Sequence, residues 1–167
     1  RKPAYAGIDL KGLPNLQSAN MSWDFIKRLR GATKMKIVIK GILTAEDAKL
    51  CVANGVDGLV VSNHGGRGED SGRATIDILP EVVEAVRGKI TVIVDSGFRR
   101  GTDIAKAMAM GANAVAVGRP YLWGLGAFGQ PGVEKVLEIL RTEFQVAMAQ
   151  CGVRTVKEFT PAFVRRV

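Results

Sequence analysis

The sequence predicts a parallel α/β fold made of four strand–helix units and a long final helix. Short, β-branched apolar runs alternate with stretches of helical periodicity, and strand starts recur roughly every 22–32 residues, the size of one βα unit. The apolar runs are continuous, which is typical of strands covered on both faces. Residues 53–58 also resemble residues 109–114, since in each a glycine ends a helix and a polar residue precedes a strand. Together these observations indicate half of an eight-stranded parallel barrel or a small doubly wound sheet.

The first elements follow from local signals. Residues 1–20 are predicted to form an irregular lead-in, because they contain glycine and proline but no apolar periodicity. Ser22 is the predicted N-cap of a first helix, and Thr44, with two acidic residues behind it, opens a second. The predicted elements here are a helix at 22–30, a strand at 36–40, a helix at 44–54 and a strand at 58–62.

The later elements continue the alternation. The third helix has an apolar face that consists of Ile76, Leu79, Val83 and Val86. The last helix carries Pro131 in its first turn, and the aromatic and glycine run before it, at 121–129, is interpreted as packing without chemistry. The predicted elements are a helix at 76–87, a strand at 90–94, a helix at 102–110, a strand at 113–117 and a helix at 131–150.

Polar residues follow the four strands in turn. They are Lys40, Ser62, His64, Asp95 and the pair Gly118-Arg119. A closed barrel gathers all its strand ends around one mouth, whereas an open sheet gathers them only near a switch point. The sequence therefore favours a (β/α)8 TIM barrel, of which this chain carries four βα units and a C-terminal helix.

Composition narrows the class of protein. The 167 residues match one ordinary domain, and the net charge of +8 comes from scattered basic residues without an aromatic stacking platform, so nucleic acid is not expected. No apolar run is long enough to span a bilayer, and no transmembrane segment is expected. The two cysteines make no disulfide framework. Cys51 is predicted to be a small buried hydrophobe, and a reducing, cytoplasmic location is expected.

The only histidine in the chain lies three residues before an arginine, in the stretch SNHGGR at 62–67. A neutral imidazole at His64 can accept a proton near pH 7, and the guanidinium of Arg67 can hold a carboxylate in a fixed orientation. The alternatives are a structural histidine and a surface arginine paired with Glu69 or Asp70. Because His64 lies between Asn63 and Gly65-Gly66, where no apolar packing face exists, the pattern favours a site for an anionic organic acid.

Two consecutive loops combine glycine with arginine, at 95–103 and 118–120. Glycine lets the backbone approach a ligand, and a helix that starts at Thr102 would present free N–H groups, so the loops indicate a phosphate site. The alternative is two ordinary turns with surface arginines.

Lys40 and Asp95 each end an apolar strand. A lysine there indicates an anionic or electron-rich partner, or else a side chain that extends to the rim. The aspartate would accept bonds from ligand hydroxyls or cap the following turn.

These motifs resemble the FMN-dependent 2-hydroxy acid oxidases and dehydrogenases, a family that includes glycolate oxidase, lactate oxidase and mandelate dehydrogenase. The resemblance extends from about residue 23 to the C-terminal tail. It rests on IKGIL at 39–43, SNHGGR at 62–67, DSGFRRGTD at 95–103 and GRP at 118–120. It implies FMN as cofactor and a small 2-hydroxy acid as substrate.

The resemblance also implies a role for each site residue. His64 would be the catalytic base, and Arg67, beside it, would bind the substrate carboxylate. Lys40 and Ser62 would contact the flavin, and Asp95 would bind the ribityl chain. The FMN phosphate would be held by Gly97, Arg99, Gly118 and Arg119.

Two departures from the family qualify this picture. Family members are about twice as long, so residues 21–167 are expected to be the C-terminal half of an FMN-binding barrel, with the N-terminal half as partner and a homo-oligomer as the assembly. The loop after Arg67 is also more charged than is usual in the family. The alternatives are a non-catalytic half-barrel fragment, or another FMN- or phosphate-binding barrel such as an isomerase or nucleotide dehydrogenase.

Overall fold

A computed structural model describes residues 21–68 and 72–165. The chain divides into two compact units, Arg1–Lys34 and Met35–Val167. The first unit contains helix α1 (Trp23–Ala32), which begins after Ser22 as predicted, although the Ser22 side chain makes no capping hydrogen bond. The predicted lead-in at 1–20 lies outside the described residues. Within those residues, no helix combines the length and apolar character needed to cross a membrane.

The second unit is a parallel sheet with helical crossovers. Its strands lie in the order β1-β2-β3-β4, so every strand neighbours the next one in the chain. A doubly wound sheet reverses this order at a switch point, whereas a barrel does not, so the topology agrees with the predicted barrel. In chain order the elements are β1 (Val38–Ile42), α2 (Ala45–Ala53), β2 (Gly58–Val61), α3 (Thr75–Val86), β3 (Thr91–Val94), α4 (Gly101–Ala109), β4 (Ala114–Val115) and α5 (Arg119–Gln150), followed by two 3-10 turns at Val156–Glu158 and Pro161–Phe163.

The core lies between the central strands and the helices behind them. Leu59 and Val61 of β2, Val94 of β3 and Leu79 of α3 are fully buried. The outer strand β1 is less covered, and Val38 is 47% exposed. Cys51 is buried on α2, as predicted, and burial raises the pKa of its thiol to about 11.

The polar residues of the two similar segments, 53–58 and 109–114, make equivalent hydrogen bonds in the sheet. The side chain of Asp57, before β2, accepts the backbone N–H of Ile37, and the side chain of Asn113, before β4, accepts the N–H of Val92. Each polar residue thus satisfies a backbone donor at or just before the start of the neighbouring strand. The two repeat segments therefore fix the alignment of neighbouring strands.

Element boundaries differ from the predictions by one or two residues in most cases. Strand β1 begins at Val38 instead of residue 36, and β4 covers only Ala114–Val115. The buried face of α3 consists of Thr75, Ile78, Leu79, Val82 and Val86, so the predicted face was partly wrong. The buried face includes the first residue of the helix, Thr75, because its hydroxyl donates to the backbone carbonyls of the loop after β3.

The last helix begins twelve residues earlier than the predicted residue 131. Helix α5 begins at Arg119, and two helical segments meet at a kink at Gly129 (φ 65°, ψ −144°). The segments pack so closely that a Cβ on Gly124 would lie 2.4 Å from the carbonyl oxygen of Gly132. The run at 121–129, interpreted from the sequence as packing without chemistry, belongs to this helix, and its side chains Trp123 and Phe128 are exposed. Gly124 and Gly132, two of the glycines that suggested a loop, permit this close contact.

Candidate functional site

Every residue predicted for the site lies in the second unit, at the carboxyl end of the sheet. A cavity of about 300 Å³ lies there, lined by Lys40, His64, Arg67, Asp95, Gly97, Arg99, Gly118 and Arg119, together with the neighbouring residues Gly65, Ser96, Phe98, Ala116, Val117, Tyr121 and Leu122. Ser62 lines an adjoining hollow of about 410 Å³ that shares Lys40 and His64 with the first. The strand ends therefore converge as the barrel prediction requires.

Lys40 is placed by a bulge in β1. The pairing of β1 with β2 shifts between Lys40 and Ile42, because the intervening Gly41 adopts φ +101°. The ammonium of Lys40 donates to Ser62 Oγ at 2.7 Å and lies 3.3 Å from the Asp95 carboxylate. The Asp95 side chain is 18% exposed and that of Lys40 is 48% exposed. The lysine thus has an anionic partner and still reaches the cavity.

Ser62 is 2% exposed, and its hydroxyl oxygen accepts two hydrogen bonds. It accepts from the Lys40 ammonium and also from the backbone N–H of His64, at 3.1 Å. Ser62 therefore ties the end of β1 to the loop after β2, and its predicted flavin contact would come in addition to these bonds.

The loop after β2 presents the imidazole and the guanidinium side by side. His64 adopts φ +57°, a conformation that an L-residue rarely takes, and its side chain is exposed at the rim. Arg67 Nη1 lies 3.5 Å from His64 Nε2. Backbone strain of this kind is concentrated at functional sites, where the surrounding structure holds it. The alternative pairing of Arg67 with Glu69 or Asp70 involves residues outside the described part of the chain.

The loop after β3 contains two consecutive residues with positive φ, Ser96 at +76° and Gly97 at +90°. A Cβ on Gly97 would meet no atom within 4 Å, so this part of the loop borders open space. Arg99 follows, donating to the carbonyl of Phe98 at 2.7 Å, and its guanidinium lies 5.0 Å from the ring centre of Trp123. The indole thus helps to orient the arginine.

Carboxylates of the chain occupy part of the N-terminus of α4, where the sequence predicted free N–H groups. The helix begins at Gly101, whose N–H donates to the Glu143 carboxylate at 2.8 Å. The N–H groups of Arg99 and Arg100 both donate to Asp103 Oδ2 at 2.9 Å. Two carboxylates of the chain therefore occupy the positive end of the helix, and an anion there would meet negative charge.

Arg119 opens helix α5 directly after the loop of β4. Its guanidinium donates to the carbonyl of Gly65 at 3.1 Å and so joins this loop to the loop that carries His64. A Cβ on Gly118 would meet no atom within 4 Å, so the backbone before the arginine also faces open space.

Sequence reasoning missed three residues of the site. Tyr121 and Leu122 line the cavity from the first turn of α5, and only the unexpected start of that helix at Arg119 places them there. Ser96 was quoted within a motif but given no role. Its hydroxyl accepts the N–H of Gly65 at 3.0 Å and donates to Asp95 Oδ1 at 2.7 Å.

Comparison with known proteins agrees with this geometry. The family described as FMN-dependent dehydrogenase matches residues 6–166. The chain is 54% identical to 2-hydroxyacid oxidase 1 of Mus musculus over 147 residues, covering 88% of this chain and 40% of that protein. It is 46% identical to an L-lactate oxidase of Lysinibacillus sphaericus, with coverage of 87% and 38%. The chain thus spans about two fifths of the length of these relatives.

A solved structure gives the same result in three dimensions. A soluble mutant of the membrane-associated (S)-mandelate dehydrogenase from Pseudomonas putida superposes with a TM-score of 0.88 at 38% identity, covering 93% of this chain and 44% of that one. The predicted fold class, about half of a (β/α)8 barrel, is confirmed by this match. The resemblance drawn from the four motifs is also confirmed, and the chain belongs to the FMN-dependent dehydrogenase family.

Proposed function

We propose that residues 21–167 form the C-terminal half of an FMN-binding barrel that oxidises a small 2-hydroxy acid to the 2-oxo acid. One observation carries the proposal. In a member of the FMN-dependent dehydrogenase family, an imidazole, a guanidinium 3.5 Å from it and a lysine–aspartate pair all line one cavity at the carboxyl end of the sheet. The two arginines of the following loops line it too.

The residues present fit FMN. Open space borders the backbone at Gly97 and Gly118, and a positively charged guanidinium follows each glycine, at Arg99 and Arg119. This combination suits a phosphate group. The Asp95 carboxylate accepts hydroxyl hydrogens, as a ribityl chain requires. The Lys40 ammonium places a positive charge in this cavity and also lines the adjoining hollow that contains Ser62. When bound, FMN would supply a two-electron acceptor.

The substrate groups are assigned to His64 and Arg67. Arg67 would bind the substrate carboxylate through its planar fork, which places the rest of the acid beside the imidazole. His64 Nε2 would accept the proton that the acid loses as it is oxidised. In the structure Arg67 Nη1 faces this nitrogen, and a carboxylate is the stronger acceptor for an arginine N–H. Binding of the acid would therefore draw Arg67 to the carboxylate and leave Nε2 ready for the proton.

A second half of the barrel is the proposed partner. Strands β1 and β4 are the outer strands of the sheet, and each pairs with a single neighbour among the described residues. An unpaired parallel edge exposes backbone donors and acceptors, and a closed barrel covers them. The relatives are more than twice as long as the matched region. A homo-oligomer and a cytoplasmic location stay predictions.

The experiment is a flavin titration of the chain, alone and together with the polypeptide that precedes it in a full-length relative. FMN binding is measured by quenching of flavin fluorescence, and lactate, glycolate and mandelate are then added anaerobically. We expect bleaching of the visible flavin absorbance by at least one acid in the completed barrel. Failure of the completed barrel to bind FMN would refute the proposal. FMN binding without bleaching by any acid would favour another FMN barrel or a non-catalytic fragment.

Two variants test the assigned roles in the same assembly. His64→Gln keeps the size of the side chain but not a base, and should slow flavin reduction by roughly 10²–10⁴-fold with FMN still bound. Arg67→Lys replaces a fork by a point charge and should raise KM about tenfold. Arg141→Lys, an exposed arginine on α5 outside the cavity, is the matched control and should change neither value. Wild-type reduction by the glutamine variant would remove His64 from the mechanism.

A further inference from the structure

We propose that Ser96 is a positioning residue that couples the Lys40–Asp95 pair to the loop carrying His64. The proposal deepens the function proposed above and depends on it for its catalytic meaning. Its structural basis is a closed ring of polar contacts at the mouth of the sheet, in which Ser96 connects two strand-end loops.

The ring can be followed atom by atom. Ser96 Oγ donates to Asp95 Oδ1 at 2.7 Å, and Asp95 Oδ2 lies 3.3 Å from the Lys40 ammonium. The ammonium donates to Ser62 Oγ, which accepts the N–H of His64. The next N–H in the chain, that of Gly65, donates back to Ser96 Oγ at 3.0 Å. The proposed flavin partners and the proposed base are thus joined on both sides.

The backbone at Ser96 indicates that its side chain is retained for these bonds. The residue adopts φ +76°, which favours glycine and disfavours a residue with a Cβ. The next residue, which also has positive φ, is a glycine, Gly97. Ser96 therefore keeps a side chain at a position where glycine would fit with less strain. A serine hydroxyl that both accepts and donates offsets the strain, and it is the only part of the side chain that alanine would lack.

The ring constrains His64 through its own amide and through the next one. Gly65 N–H also donates to Asn63 Oδ1 at 3.0 Å, so loss of Ser96 removes one of two acceptors. The Asn63 contact is local to the loop, whereas the Ser96 contact is the one that ties the loop to the strand that carries Asp95. Without it, the loop keeps its ties through Ser62 and through the Arg119 bond to the Gly65 carbonyl, but loses its direct bond to the loop that follows Asp95.

The test compares two substitutions that remove the hydroxyl but differ in strain. Ser96→Ala keeps a Cβ at positive φ, and Ser96→Gly removes it. Ser22→Ala is the control, because that exposed serine makes no side-chain capping bond. Amide hydrogen exchange of Gly65 is measured by NMR in the full chain without FMN, relative to Leu59 in the buried strand β2. The single histidine of the chain gives one ring Cε1–H signal, which is recorded in each variant.

We expect the Gly65-to-Leu59 exchange ratio to rise about fivefold in both Ser96 variants, and the His64 ring signal to move in both. The control should match the wild type. If the ratio and the ring signal in Ser96→Gly equal those of the wild type, the hydroxyl has no positioning role and the proposal is overturned. A repeat with FMN should show weaker flavin binding in both variants. Absence of FMN binding by the wild-type completed barrel would refute the proposed function while leaving the exchange result in force.

Discussion

Substituting alanine for Gly101 tests the contact that fixes the loop after β3 against the rest of the unit. Helix α4 begins at Gly101, directly behind Arg99 and Arg100. A Cβ at this position would lie 2.1 Å from the backbone nitrogen of Phe144 and 2.3 Å from the carbonyl carbon of Glu143. These are backbone atoms of α5, so they cannot rotate out of the way, and α4 must move away from α5.

The cost has two sources. Overpacking of this kind costs about 1–3 kcal/mol. The shift also lengthens the bond from the Gly101 N–H to the Glu143 carboxylate, and a hydrogen bond to a charged acceptor contributes about 1.5–3 kcal/mol. Allowing for partial relaxation, we expect Gly101→Ala to lower the free energy of unfolding by about 2–4 kcal/mol. Because Arg99 precedes the helix, FMN binding should weaken as well.

A matched control lies in helix α5. A Cβ on Gly126 would meet no atom within 4 Å, so Gly126→Ala should be neutral or stabilise by up to about 1 kcal/mol through helix propensity. Urea unfolding followed by circular dichroism measures both variants. If Gly101→Ala is as stable as Gly126→Ala, the close approach of α4 to α5 is not the constraint that we describe.

Two further predictions concern buried groups. Burial raises the pKa of the Cys51 thiol to about 11, whereas Cys151 is exposed. An aromatic disulfide reagent at pH 8 should therefore modify Cys151 in the folded chain and Cys51 only after unfolding. Rapid modification of two thiols per chain without denaturant would contradict this. Thr75 is 2% exposed, and its hydroxyl donates to the carbonyls of Asp95 at 2.6 Å and Ser96 at 3.3 Å. Thr75→Val, which lacks the hydroxyl, should lower the free energy of unfolding by about 1–3 kcal/mol and weaken FMN binding. Thr75→Ser, which keeps the hydroxyl and lacks the methyl group, should bind FMN as the wild type does; weaker binding in Thr75→Ser with normal binding in Thr75→Val would show that the methyl group, not the hydroxyl, is needed.

The sequence alone was enough to predict that the candidate residues converge, because of a property of parallel sheets. The carboxyl ends of the strands lie on one edge, so residues that follow successive strands converge even when they are far apart in the chain. Lys40 and Asp95 are 3.3 Å apart for this reason. The proximity of His64 to Arg67 followed from their short separation within one loop.

What the sequence could not predict depends on contacts between distant segments. Nothing near Gly101 indicates that Glu143 caps its N–H, so a free helix end was expected there. The start of α5 was missed because four glycines between 124 and 132 are typical of a loop. In the structure Gly124 and Gly132 permit close contact between two helical segments, a reason that becomes visible only once both segments are in place.

The cationic residues that line the cavity differ in the charge of their partners. Lys40 lies against Asp95, so this pair adds little net charge to the cavity and its effect is confined to the ligand group beside it. Arg99 and Arg119 instead donate to carbonyl oxygens, which carry no net charge. A phosphate at neutral pH carries nearly two negative charges, about what two such guanidiniums balance. Under the proposed function, the loops of β3 and β4 would supply the attraction for the phosphate, while the lysine–aspartate pair and the Ser96 contacts would set the geometry nearest to His64.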